Sequence, residues 1–228
     1  MNKKHLIAFL VGCAVATVAR SAPIKDYVRS ISQPRLFFRT ISHTPPRAVL
    51  MDGILPVCSA VVDGDILYTA GHCVRRKKEG DEVEVLLQKD GEPTRQTVYL
   101  RKVYSDIAIL SFSKTDPIET PKEAQVKAGA RVVAVMGILF ADDPDVYRAS
   151  LPYFEREAKV LAVFTAKEIG MIDLLPDISP TAKFALVSFG SFGGNSGSGV
   201  YIVDEQGKRH LIGVVSAGVS DYTIVALF

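Results

Sequence analysis

Gly193-Gly194-Asn195-Ser196-Gly197-Ser198-Gly199 stands between Leu186-Val187-Ser188-Phe189 and Val200-Tyr201-Ile202-Val203, two runs that read as strands. A glycine-dense turn between strands can take backbone angles closed to other residues. It can hold one serine hydroxyl clear of the backbone and turn amides toward a common point, the arrangement a serine nucleophile needs. A flexible Gly/Ser hairpin has the same composition. The stretch gains meaning only if the chain also supplies a histidine and a carboxylate in suitable settings.

The chain around it has 228 residues, 48% hydrophobic and 23% charged, with a formal net charge of +2. That length suits one large β domain or two small ones, and the composition supports a packed core over disorder. The charge is too near neutral to argue for nucleic acid. Three cysteines, Cys13, Cys58 and Cys73, leave one over after any pairing.

Lys3 and Lys4 precede an apolar run from Leu6 to Ala19 broken by Thr17. The run is short for a membrane span and suits a signal peptide, residues 1–19, with cleavage after Ala16 or Ala19. Leu10-Val11-Gly12-Cys13 also resembles a lipobox, which would anchor the protein through Cys13. Either form of export places the domain in an oxidising compartment, secreted or periplasmic, where Cys58 and Cys73 could pair.

Residues 20–47 carry Arg29, Arg35, Arg39 and Arg47 among prolines and read as a linker or pro-segment. From Ala48 the texture becomes short β-branched runs. Cys58-Ser59-Ala60-Val61-Val62, a turn at Asp63-Gly64-Asp65, and Ile66 to Ala70 form a hairpin. Val83 to Leu87, Thr97 to Val103, Ile107 to Phe112 and Arg131 to Met136 follow. Lys159 to Phe164, Phe184 to Phe189, Val200 to Val203, His210 to Val215 and Thr223 to Leu227 continue the pattern. This is the spacing of an all-β barrel or sandwich. Thr165 to Met171 is the one stretch read as a turn of helix. The polar stretch from Asp116 to Ala128 divides an N-terminal unit, 48–120, from a C-terminal one, 121–228. Arg75-Arg76-Lys77-Lys78 is a solvated loop or a docking site for an acidic partner. Asp142-Asp143-Pro144-Asp145 lacks the glycine and distal glutamate of a calcium loop.

Thr69-Ala70-Gly71-His72-Cys73 puts a histidine at the end of a hydrophobic strand, and Asp106 opens Ile107-Ala108-Ile109-Leu110. A carboxylate at such a position needs a partner, and an imidazole N–H is a suitable one. The other ring nitrogen can then take a proton from a serine hydroxyl. A His/Asp/Cys metal site is the rival chemistry, but neither HExxH nor CxxC occurs and Cys58 is a candidate disulfide partner for Cys73. An α/β-hydrolase would need the order Ser, Asp, His and G-x-S-x-G, which this chain reverses and lacks.

The histidine stretch, Asp106-Ile107-Ala108-Ile109-Leu110 and Gly194-Asn195-Ser196-Gly197 together resemble the three motifs of chymotrypsin-like serine proteases, over a region from about Cys58 to Phe228. The resemblance implies two six-stranded antiparallel β-barrels with the site between them. It implies His72 as general base, Asp106 as its orienting carboxylate and Ser196 as nucleophile. The amides of Gly194 and Ser196 would form the oxyanion hole, with Gly193 and Gly197 bending the backbone. Cys58 and Cys73 match the disulfide flanking the histidine. Gly190 matches the base of the primary pocket, Ser191, Val215, Ala217 and Gly218 its walls, and Ser216 the serine that supports the aspartate. None is charged, so a neutral or small apolar residue is expected before the scissile bond.

Asn195 precedes the nucleophile where digestive members have an aspartate that binds a new N-terminus, so the closer resemblance is to the bacterial branch of glutamyl endopeptidases and HtrA protease domains. Val215 stands where glutamyl endopeptidases have a histidine. No PDZ domain is expected after the second barrel. The expectation is an exported serine endopeptidase acting on peptide or protein substrates, and the alternative is a catalytically silent binding module on the same fold. The enzyme would be a monomer without cofactor or metal, would not bind nucleic acid, and would meet a membrane only if lipidated at Cys13.

Overall fold

The computed structural model describes residues 47–89, 92–118, 125–137, 151, 153–169, 178–219 and 221–228. The expected signal peptide, Cys13, residues 20–46 and the acidic loop from Asp142 lie outside the described residues. Six strands close the first barrel: β1 (Arg47–Asp52), β2 (Leu55–Asp63), β3 (Ile66–Ala70), β4 (Glu82–Gln88), β5 (Thr94–Tyr104) and β6 (Ile107–Ser111), in the order β1-β2-β3-β6-β5-β4. Six more close the second: β7 (Arg131–Gly137), β8 (Tyr153–Thr165), β9 (Lys183–Val187), β10 (Gly199–Val203), β11 (Arg209–Val219) and β12 (Tyr222–Leu227), in the order β10-β11-β12-β9-β8-β7. Both are antiparallel throughout, as the resemblance implies.

The pleat explains which residues fill each barrel. On β4, Val83, Val85 and Leu87 point in while Glu82 and Glu84 point out. They join Leu50, Leu67, Val98, Leu100, Ala108 and Leu110 in the first core. Met136, Phe189, Val200, Ile212 and Val225 belong to the second. On β6 the alternation fails: Ile107 and Ile109 face away from Ala108 and Leu110, yet all four are buried. A strand covered on both sides reads as an unbroken apolar run, and one neighbour on that outer side is plain. Tyr68 of β3 packs edge-on against Phe228, ring centroids 5.0 Å apart.

Two elements differ from the sequence expectations. The stretch Ala166–Ile169 is a hydrogen-bonded turn, not helix. The amides of Ala166 and Lys167 donate across to Ala182 and Pro180 carbonyls, and Glu168 N–H closes a single turn on Thr165 O at 3.1 Å. In addition, β8 begins at Tyr153, well before Lys159, and pairs with β7 from Gly137↔Tyr153 to Arg131↔Lys159.

Cys58 on β2 and Cys73 after β3 are joined by a disulfide that closes a 15-residue separation. A loop of that length contributes about 3 kcal/mol by restricting the unfolded chain. The double variant Cys58→Ser/Cys73→Ser is therefore expected to lose about that much in a denaturant titration.

Candidate active site

The two barrels each deliver part of one constellation. β3 ends at Ala70, and Gly71–Val74 winds into a single 3-10 turn that carries His72. A side chain at Gly71 would press on Asp106 and Val103, each 3.2 Å from the added carbon, so the glycine lets the histidine turn lie flat on the β5–β6 connection. That connection is only Ser105-Asp106, with Ser105 at φ +55°.

Asp106 is 3% exposed and surrounded by donors. Its Oδ1 accepts the His72 backbone N–H at 2.8 Å, and its Oδ2 lies 2.9 Å from His72 Nδ1. The Ser216 hydroxyl donates to Oδ2 at 2.5 Å. Ser216 is available because β11 bulges there: the register with β12 shifts between Val215 and Ala217. A bulge re-aims one side chain without ending the strand. On the other side of the ring, His72 Nε2 lies 3.0 Å from Ser196 Oγ.

The serine loop is built by two glycines. Asn195 N–H donates to the Phe192 carbonyl at 3.0 Å, closing the turn Phe192-Gly193-Gly194-Asn195. Gly194 sits at the third position with φ +87°, as a type II turn requires. Gly197 has φ +85°. The left-handed conformations thus fall at Gly194 and Gly197, and Gly193 does not share them. Neither the Gly194 nor the Ser196 amide donates to any acceptor among the described residues. Asn195 is buried, its Oδ1 accepting Phe192 N–H at 2.9 Å and its Nδ2 donating to the Gly137 carbonyl at 2.7 Å.

Ser59 was not singled out from the sequence. Its amide donates to Ser196 O at 2.8 Å, its hydroxyl to Gly194 O at 3.2 Å, and its own carbonyl accepts the Thr69 hydroxyl at 2.7 Å. One residue of the first barrel therefore fixes the serine loop of the second. Gly137, at the end of β7, holds Asn195 through its carbonyl. No local pattern marks either residue, because both act through contacts distant in sequence.

Of the residues expected at the primary pocket, Gly190, Ser191, Val215 and Ser216 are buried, and Ala217 and Gly218 are half-buried. Ser191 and Gly218 touch: a methyl group on Gly218 would lie 1.8 Å from Ser191 Oγ and 3.1 Å from its carbonyl oxygen. At the end of β5, the buried Tyr104 hydroxyl has no hydrogen-bond partner among the described residues, and burial pushes its pKa up, so it stays a neutral phenol. The Cys58, His72 and Cys73 donor atoms lie within 4.8 Å of one another, but the two sulfurs are bonded together and have no thiolate to offer a metal.

No family model and no curated protein matches the sequence. Solved structures do. Rv3671c from M. tuberculosis H37Rv, in an inactive form, is 18% identical with a TM-score of 0.50, the match covering 79% of this chain and 80% of that one. A serine protease of a human pathogenic astrovirus is 11% identical with a TM-score of 0.50, covering 82% and 93%. The HtrA-type protease AlgW, in a structure with a tripeptide, is 15% identical with a TM-score of 0.50, covering 88% of this chain and 59% of that one. The chain has the chymotrypsin-like serine protease fold.

Proposed function

We propose that this chain is a serine endopeptidase, exported from the cytoplasm, that cleaves peptide bonds through an acyl-enzyme. The observation that carries the reading is the continuous series from Asp106 through His72 to Ser196, beside two backbone amides that have no acceptor among the described residues. In this reading Nδ1–H of His72 donates to Asp106, which leaves Nε2 to accept the Ser196 proton as Oγ attacks the substrate carbonyl. The developing oxyanion takes hydrogen bonds from Gly194 and Ser196 N–H, a term worth about 10²–10³-fold per donor in other serine proteases. His72 then hands the proton to the leaving amine, and water repeats the sequence on the acyl-enzyme.

Three features refine the proposal. Asn195 is held by neutral hydrogen bonds to Phe192 and Gly137, so the loop needs no new N-terminal ammonium to order it. The disulfide beside His72 supports an oxidising compartment. The close approach of Ser191 and Gly218 supports a narrow primary pocket in this reading, so glycine, alanine or serine is the expected residue before the scissile bond.

Cleavage of a peptide library, with the Ser196→Ala protein as control, tests both parts. Cuts after small residues, absent from the control, are expected, and Ser191→Gly should extend them to larger residues. Cleavage by the unaltered protein chiefly after aromatic or basic residues would contradict the pocket assignment.

A further inference from the structure

Two exposed features near the Cys58–Cys73 disulfide have no partner among the described residues. Arg75, Arg76, Lys77 and Lys78 follow it directly, all exposed, and none takes part in an ion pair among the described residues. The run is held in shape rather than left loose. Lys77 N–H donates to Val74 O at 2.8 Å, and Lys78 N–H to Asp81 Oδ2 at 2.8 Å. Asp81 is thus engaged by a backbone amide, and Glu79 is the one other acid within the segment. The chain has 27 lysines and arginines against 25 acids, so without these four the balance turns acidic. The cluster is a local concentration of charge on a chain that is otherwise not basic.

The second feature is the tip of the β1–β2 hairpin. Ile54 is 78% exposed, Leu55 64% and Val57 39%. Single exposed apolar residues are ordinary, whereas three in four positions make a patch. The Cys58–Cys73 disulfide joins the features: Val57 precedes one cysteine, Arg75 lies two beyond the other, and the two cysteine Cα atoms are 6.3 Å apart.

We infer that this rim, formed by Ile54, Leu55, Val57 and the Arg75–Lys78 run, receives a segment of the protein substrate in which an apolar residue is accompanied by several acidic ones. The inference rests on the endopeptidase reading and adds a substrate class to it. Charge complementarity selects the acidic side chains, and the apolar finger beside the cations selects a neighbour for them that a nucleic acid lacks. Charges at the mouth of a cleft concentrate and orient an oppositely charged ligand, and the effect falls with salt.

The test uses the full chain with Ser196→Ala, so that binding is read without cleavage. The probe is a fluorescein-labelled peptide carrying Ala-Leu-Glu-Glu-Asp, compared with the same peptide carrying lysines for the acids. Fluorescence anisotropy at about 0.05 M salt is expected to give tighter binding of the acidic peptide by about tenfold, vanishing by about 0.5 M. Arg75→Ala/Arg76→Ala/Lys77→Ala/Lys78→Ala should abolish the preference, and Leu55→Ser should weaken both peptides. Equal binding of the two peptides, a preference that survives the fourfold variant, or an oligonucleotide of matched charge binding more tightly than the acidic peptide would overturn the inference. Failure of the unaltered protein to react at Ser196 with a fluorophosphonate would instead remove the endopeptidase reading while leaving the binding result standing.

Discussion

Asp106→Asn is expected to lower kcat/KM for peptide hydrolysis by about 10⁴-fold, with the fold intact, since in a serine protease triad the same exchange has that effect by enforcing the wrong histidine tautomer. The surroundings of Asp106 dictate how an asparagine would sit. The His72 backbone N–H is a fixed donor 2.8 Å from Oδ1, so the amide oxygen must occupy that position. The amide nitrogen then falls at the Oδ2 position, facing His72 Nδ1 at 2.9 Å and the Ser216 hydroxyl at 2.5 Å. Ser216 can rotate to accept, so nothing forces a flip. The new N–H donates to Nδ1 and moves the ring proton to Nε2, where it can no longer accept from Ser196. Steady-state kinetics with circular dichroism of the same sample measure the effect. A loss of less than about tenfold in folded protein would remove Asp106 from its assigned role.

Gly197→Ala is expected to destabilise the protein by about 3–5 kcal/mol, the sum of a left-handed backbone forced on alanine and overpacking against fixed backbone. The added methyl would lie 1.9 Å from the Ser59 carbonyl oxygen and 2.3 Å from Thr69 Oγ1. Ser59 cannot retreat freely, because its amide holds Ser196 O and its hydroxyl holds Gly194 O. The strain therefore passes into both the barrel contact and the serine loop. Thermal unfolding should show a fall of about 10 °C or more for a domain of this size. Native samples below the transition should also react more slowly at Ser196. A melting temperature within about 2 °C of the unaltered protein would show that the loop yields more readily than these contacts imply.

Much of this architecture is legible in the sequence because it depends on local pattern. The strand from Ile66 to Ala70 ending in Gly71-His72, and the run from Ile107 after Asp106, are short apolar segments whose ends carry the polar residues. The glycines around Ser196 signal a turn that other residues could not make. What was not legible depends on register between distant strands. Ser59 reaches Ser196 and Gly194 across the barrels, and Gly137 meets Asn195, through pairings set by how each sheet closes. β1 is short and runs straight into Asp52-Gly53, and the first part of β8 is Tyr153-Phe154-Glu155-Arg156-Glu157, whose charges hide its alternation. Ala166–Ile169 has helical composition, but Ala166 and Lys167 N–H bond to the next strand's approach and Glu168 N–H closes only one turn on Thr165.

Reaction of the folded protein with a fluorophosphonate, followed by peptide mass mapping, tests the central assignment most directly. Only a serine whose proton is taken by a base, next to donors for the phosphonyl oxygen, reacts readily. The geometry from Asp106 through His72 leads to a single adduct, on Ser196, that disappears in Ser196→Ala and falls sharply in His72→Ala. Absence of any adduct from folded protein, or an adduct on a different residue, would contradict the account and leave a binding module on a protease fold.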